Sequence, residues 1–381
     1  MHKIFVPLIL FLFIIVSCSQ KPNKQQEKPI GEQVVDKIPT EELACCKIDS
    51  KSRFLTKTEL ANIPVGNAET EGMIFIQGGT FDMGADNNQA RPDEYPKHPV
   101  EVNGFWIDQH EVTNAQFKKF VDETSYITVA EKDVDWNQLK NQLPPGTPKP
   151  HDSLLIAGSM VFTPPGYAVP LNDYSQWWTW TNGASWKHPK GPDSDITGLE
   201  NHPVVHVCYN DAIAYCKWAG KRLPTEAEWE FAARGGLKNN IYPWGDEHIE
   251  KGLPKANSWQ GSFPNVNTQK DGFFTTSPVK SYAPNDYGLF DMAGNIWEWT
   301  SDWYDPDYYK TLPVDKVTLD PKGPEKSISS QNQNDERKTV RGGSFLCNDS
   351  YCSSYRVAAR MPGEIYSGMS HTGFRCVKDA K

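Results

Sequence analysis

Two long segments, 133 to 201 and 236 to 287, are dense in Trp, Pro, Gly and Asp. A chain that carries them cannot be held together mainly by helices and ladders. Ordering loops of that length costs about 1–2 kcal/mol of backbone entropy per residue, so such loops are functional or need a pin. Metal ions are one candidate pin. The composition agrees: 28 Gly, 29 Pro, 13 Trp and 38% hydrophobic residues describe a loop-rich body whose core is aromatic. Helical signals are few. Thr113 and Gln116 form a capping box ahead of Phe117, Phe120 and Val121. Asn210 is expected to cap a helix through Ala212, Tyr215, Cys216 and Trp218, ending at Gly220. Pro224, Thr225 and Glu228 open a third helix, closed by Gly235-Gly236. Short strand-like pieces lie between and after them, so the expected class is α+β, a single irregular domain with little regular secondary structure.

The start of the chain reads differently. Lys3 and the apolar run Ile4–Val16 have the layout of a secretory signal, short for a membrane span. The run closes on Ile15-Val16-Ser17-Cys18, which is similar to a bacterial lipoprotein box; the other reading is an ordinary cleaved signal with an incidental cysteine. The expectation is residues 1–17 as signal peptide, a lipid anchor at Cys18, a polar tether over 18–71, and one domain over 72–381. The protein would then be an exported bacterial lipoprotein on the periplasmic or cell-surface side, and a monomer. No fixed-period repeat is present. The net charge of −9 comes without a Lys/Arg run, so no nucleic-acid partner is expected.

Walker A, Gly-x-Gly-x-x-Gly, His-Glu-x-x-His and Gly-x-Ser-x-Gly patterns are all missing, which removes phosphate cradles, zinc proteases and α/β-hydrolases. The informative stretch is Arg341 to Cys352, where two glycines precede Ser344 and two thiols, Cys347 and Cys352, in a polar run. Spacing alone leaves two readings, a local disulfide or a pair of soft thiolates suited to Cu(I). Between Asn257 and Glu298 hard oxygen donors are frequent. Asn257, Ser258, Asp271 and Phe273 could converge on one calcium, and Asp291, Gly294, Ile296 and Glu298 on another, unless they are solvated turn residues.

Four stretches, Gly220 to Glu230, Tyr242 to Gly245, Tyr287 to Trp303 and Gly373 to Cys376, closely resemble the formylglycine-generating enzyme, or sulfatase-modifying factor, family. The resemblance covers roughly 72 to 379. It implies a distorted C-type-lectin-like fold, and Cys347 and Cys352 as ligands of Cu(I). It further implies a copper-dependent oxidase that uses O2 to convert the cysteine of a Cys-x-Pro-x-Arg motif in a client sulfatase to Cα-formylglycine. Ser344 resembles the serine that helps form the active site, and Trp297 the tryptophan beside the oxygen pocket. The two calcium sets carry over residue by residue, with Asp291 in place of an expected asparagine.

Some positions depart from the family. Cys216 and Cys376 match one structural disulfide of the vertebrate relatives, whereas the positions of the other read Ala233 and Val357. His371-Thr372 stands where the animal enzymes have Asn-Leu. Cys208 is an extra thiol, and Cys45-Cys46 lie in the tether. Two competing functions come from the same superfamily. Non-catalytic lipoproteins that use the scaffold for binding generally lose the paired cysteines; iron sulfoxide synthases need a His-x-x-x-His-x-Glu motif that this chain lacks.

Overall fold

A computed structural model describes residues 53–380, apart from 68, 142, 144 and 329–335. The signal, Cys18, Cys45 and Cys46 lie outside the described residues. Helices, numbered in chain order, are α1 (Lys57–Asn62), α2 (Asn114–Thr124), α3 (Trp136–Leu139), α4 (Tyr209–Trp218) and α5 (Glu226–Arg234). Strands β1 (Met73–Ile76), β4 (Phe105–Asp108) and β12 (Val377–Asp379) form one sheet in the order β1-β4-β12. A second sheet has the order β10-β9-β7-β11, from β7 (Trp297–Trp303), β9 (Arg337–Arg341), β10 (Arg360–Glu364) and β11 (Thr372–Gly373). β2 (Gly79–Met83), β3 (His98–Val102) and β8 (Thr318–Leu319) make a third, and β5 (Gly158–Phe162) pairs with β6 (Trp178–Asn182).

Local chemistry sets the helix ends. Thr113 and Thr225 are N-caps with complete capping boxes, and α5 stops at Gly235 in the left-handed region. The expected cap Asn210 is corrected: α4 starts at Tyr209, and its N-cap is Cys208, whose N–H donates to Asp211 Oδ2 at 2.8 Å. The aspartate one position on had the better reach. Cys208 itself is fully buried.

Residues 53–67, expected within the polar tether, carry ordered structure that packs on the body. Thr56 caps α1, Ile63 is buried, and Leu55 and Leu60 pack on the same aromatic cluster as Phe117, Phe120 and Tyr215. Lys217 Nζ donates to Leu60 O at 2.6 Å and Ala61 O at 2.8 Å. Three apolar residues among polar ones bury too little to show as a period, yet suffice to dock one turn and a half of helix.

Buried ion pairs pin the loops, a device composition does not reveal. The helix α5 reads Glu-Ala-Glu-Trp-Glu, and Glu226 and Glu230 stand at i, i+4 on one face. Glu226 receives Arg341 Nη1 at 2.8 Å and Arg360 Nε at 2.7 Å; Glu230 receives Arg341 Nη2 at 2.5 Å and Arg234 Nη2 at 2.6 Å. All are buried, and removal of one partner from such a set typically costs about 3–5 kcal/mol. Glu228 closes the capping box with Thr225 and takes both Arg222 terminal nitrogens at 2.7 Å.

Candidate functional site

Strands β9 and β10 are antiparallel partners, and the segment 342–359 joins them as one long connection. It carries Ser344, Cys347 and Cys352. Gly342 and Gly343 begin it at φ 92° and 75°. A Cβ on Gly343 would lie 2.8 Å from Ser354 C, so the backbone doubles back here only as glycine. The loop then hangs on two neighbouring turns. Gly294 N donates to Gly342 O (2.9 Å), Phe345 N to Asn295 O (3.0 Å) and Trp259 N to Cys347 O (3.0 Å).

This suspension brings Cys347 Sγ to 2.8 Å from Cys352 Sγ. Cys347 N donates to Ser344 O (2.9 Å), Ser344 N to Cys347 Sγ (3.4 Å), and Ser344 Oγ accepts from Leu346 N (3.3 Å). The pair is electrically asymmetric. The hydrogen bond from Cys347 holds Cys352 down at about 6 against the cost of burial, helped by Ser354 and the Arg91 charge. Burial, and then Cys352, push the Cys347 thiol well up. The asymmetry favours a thiolate on Cys352 that accepts from the Cys347 thiol.

The pair opens into a cavity of about 710 Å³, lined also by Ser344, Trp297, Trp177, Trp178 and His371. All four expected catalytic residues therefore share one site. Trp297 is buried and its N–H donates to His371 O at 2.8 Å. The His371 ring meets Trp178 edge-on at 4.7 Å, and burial holds it neutral, with a pKa of about 3. Phe263 and Tyr351 stack at 4.6 Å on another wall. Sequence reasoning missed Trp177 and Trp178, although the Trp density of 133 to 201 was the signal, and Tyr351, which sits between the two cysteines.

Among the described residues no three His, Cys, Asp or Glu side chains form a ready metal cage, so calcium would rely on backbone and amide oxygens too. In the first expected set, Asp271 gathers its neighbours: Oδ2 accepts from Ser258 N (3.1 Å) and Gln260 Nε2 (2.7 Å), Oδ1 from Phe273 N (3.1 Å). Asn257 Nδ2 donates instead to Thr275 O (2.8 Å) and Asn295 Oδ1 (3.1 Å). Among the described residues no side-chain acceptor of this set is buried without a partner. In the second set Asp291 Oδ1 is buried without a hydrogen-bond partner among the described residues, as is Glu111 Oε2 nearby in charge. Burial raises Asp291 to about 6 and, with Asp291, raises Glu111 well above the carboxylate range. Two unpaired buried carboxylate oxygens fit a cation. Gly294 has φ 74° and Ile296 is buried. The oxygens of Glu298 receive Arg375 Nη2 and Nε, each at 2.7 Å, and Trp229 Nε1 at 2.9 Å. Glu111 Oε2 has spare capacity beside this set, although nothing in the sequence marks it as a ligand.

Cys216 Sγ and Cys376 Sγ face each other at 3.4 Å as separate thiols, both buried.

With this geometry in view, the comparisons with known proteins are direct. The family described as the sulfatase-modifying factor enzyme 1-like domain matches residues 59–380. A formylglycine-generating enzyme of Thermomonospora curvata is 45% identical over 313 residues, covering 81% of this chain and 94% of that protein. The mouse formylglycine-generating enzyme is also 45% identical, over 81% of this chain and 75% of its own length. An inactive Cα-formylglycine-generating enzyme 2 of Bos taurus is 36% identical, over 87% and 97%. The solved structure of PvdO from Pseudomonas aeruginosa shares the fold with a TM-score of 0.51 at 24% identity, over 81% and 94%. The expected mixed α+β fold with little regular secondary structure is borne out. The chain belongs to the formylglycine-generating enzyme, or sulfatase-modifying factor, family.

Proposed function

We propose that this chain converts the cysteine of a Cys-x-Pro-x-Arg motif in a client sulfatase to Cα-formylglycine, using dioxygen and copper. The family membership supports sulfatase maturation as the task. The observation that carries the finer reading is the Cys347–Cys352 pair, 2.8 Å apart and open to a large aromatic cavity. Two adjacent sulfurs, one held as thiolate, suit a soft monovalent ion in low coordination, with room for the client thiolate as a third ligand. Copper, when bound, supplies the one-electron chemistry with O2 that side chains lack.

The protein's own part is binding and exclusion. Cys347 and Cys352 would hold the ion; Ser344, at the base of their turn, shapes their approach; Trp297 and the aromatic walls keep bulk water from the client cysteine. Oxidising the client β-carbon to an aldehyde, with water supplying its oxygen and sulfur leaving as sulfide, releases two electrons. Reducing O2 to water takes four, so two further electrons come from a thiol reductant, to which the cysteine pair can couple by exchange. Calcium at Asp291, with the carbonyls of Gly294 and Ile296, would brace the turn on which the catalytic loop hangs. Export as a lipoprotein anchored through Cys18 belongs to the same reading.

The 36%-identical inactive relative makes a binding-only role the second reading. Copper-loaded protein incubated with a Cys-x-Pro-x-Arg peptide separates the two. The peptide should lose mass as sulfur is replaced by oxygen in air and not under nitrogen; an unchanged peptide in air selects the binding role.

A further inference from the structure

The family match begins at residue 59, yet the wall of the catalytic cavity includes Arg53 and Phe54. This short strap is firmly held. Arg53 is 7% exposed, its Nη2 donates to Val129 O at 2.9 Å, and its guanidinium lies 5.9 Å from the Phe54 ring centroid. Downstream, the capping box of α1 and the burial of Ile63 fix the other end. Phe54 in turn meets Tyr366, another cavity residue, with ring centroids 4.7 Å apart.

A cavity of about 710 Å³ is far larger than one cysteine side chain needs; clefts of roughly 300–1,000 Å³ enclose whole drug-sized ligands. Several client residues therefore enter with the cysteine. Leu139, Leu154 and Met361 line the same cavity, with the charged Asp135, Arg337 and Glu364 also on its wall. Resting on the client reading above, we propose that Phe54, set in place by Arg53 and paired with Tyr366, is a specificity-determining residue. It takes an apolar side chain that flanks the Cys-x-Pro-x-Arg motif of the client polypeptide. Arg53 is a positioning residue in this scheme, since it is anchored on Val129 O and lies against the Phe54 ring.

The test is binding without turnover. Labelled peptides with Ser in place of the motif cysteine, flanked either by Leu and Phe or by Ser and Gly, are titrated by fluorescence anisotropy against the full chain. Wild type should prefer the apolar-flanked peptide. In Phe54→Ala its Kd should rise roughly tenfold, as expected for loss of one buried aromatic contact, and the polar-flanked peptide should be nearly unaffected. Phe54→Leu should retain most of the preference, and Cu(I) affinity should be the same in all three proteins, which separates a lost contact from a collapsed site. Equal Kd values of wild type and Phe54→Ala for the apolar-flanked peptide would overturn the proposal while leaving the client reading intact. No binding of either peptide to wild type would overturn both.

Discussion

Arg341 and Arg360 stand directly opposite each other in the β9–β10 ladder, and both bond the same Glu226 carboxylate. They mark the two ends of the connection that carries Ser344, Cys347 and Cys352. A helix signature that looks remote from the chemistry thus clamps the base of the catalytic loop. Burial alone would raise Glu226, but Arg360 and Arg341 outweigh it and hold it below the usual value, so it stays charged at neutral pH.

Glu226→Gln should therefore destabilise the protein by about 3–5 kcal/mol, because the buried Arg360 loses its carboxylate partner and Arg341 keeps only Glu230. Urea unfolding measures this. Cu(I) affinity of the folded fraction should fall as well, and a variant with wild-type stability would show that the clamp is dispensable.

The orphan oxygen of Asp291 leads to a metal-removal prediction. Calcium should raise the melting temperature of wild type over that in chelator, by about 2.7 kcal/mol of stabilisation at a hundredfold excess over Kd. Asp291→Asn should abolish most of the difference. The same calcium response in the variant would mean that the ion sits elsewhere.

Asp302 gives a pH dependence of defined sign. It is buried, accepts from Glu226 N at 2.9 Å, and burial followed by the Glu226 charge raises it to about 7 from 3.8. The folded state holds this proton more tightly than the unfolded one. Its stabilisation is complete below pH 3.8 and is lost as pH rises through about 7, at up to about 1.4 kcal/mol per pH unit. Asp302→Asn should flatten that part of the stability profile and be relatively more stable at pH 8. An unchanged profile from pH 5 to 8 would exclude Asp302 as its source.

Cys216 and Cys376 are 160 residues apart in sequence and 3.4 Å apart in space. Their oxidation would close a loop for which chain entropy gives about 4–5 kcal/mol. If the chain is exported as proposed, peptide mapping without reduction should find them joined; two free thiols there would mean that the fold does without the bond.

What the sequence disclosed, and what it hid, follows from the range of each interaction. Caps at Thr113 and Thr225 are settled within four residues and were legible. So was the pair Cys347 and Cys352, five positions apart in a distinctive frame. The pairing of Arg341 with Glu226 spans 115 positions, and no local pattern marks an arginine that will be buried. The strap at Arg53 was hidden because its few apolar residues are diluted by polar ones. The ion pair of Glu298 was hidden because its partner, Arg375, lies 77 residues away.

The central claim is that Cys347 and Cys352 together form a Cu(I) site. It is tested most directly by titrating Cu(I) against a competing chelator in wild type, Cys347→Ser, Cys352→Ser and Ser344→Ala. An alcohol is a far poorer ligand than a thiolate for a soft monovalent ion, so each cysteine variant should lose tight binding, whereas Ser344→Ala should keep it. Wild-type copper affinity in either cysteine variant would contradict the account and leave the pair as an ordinary dithiol.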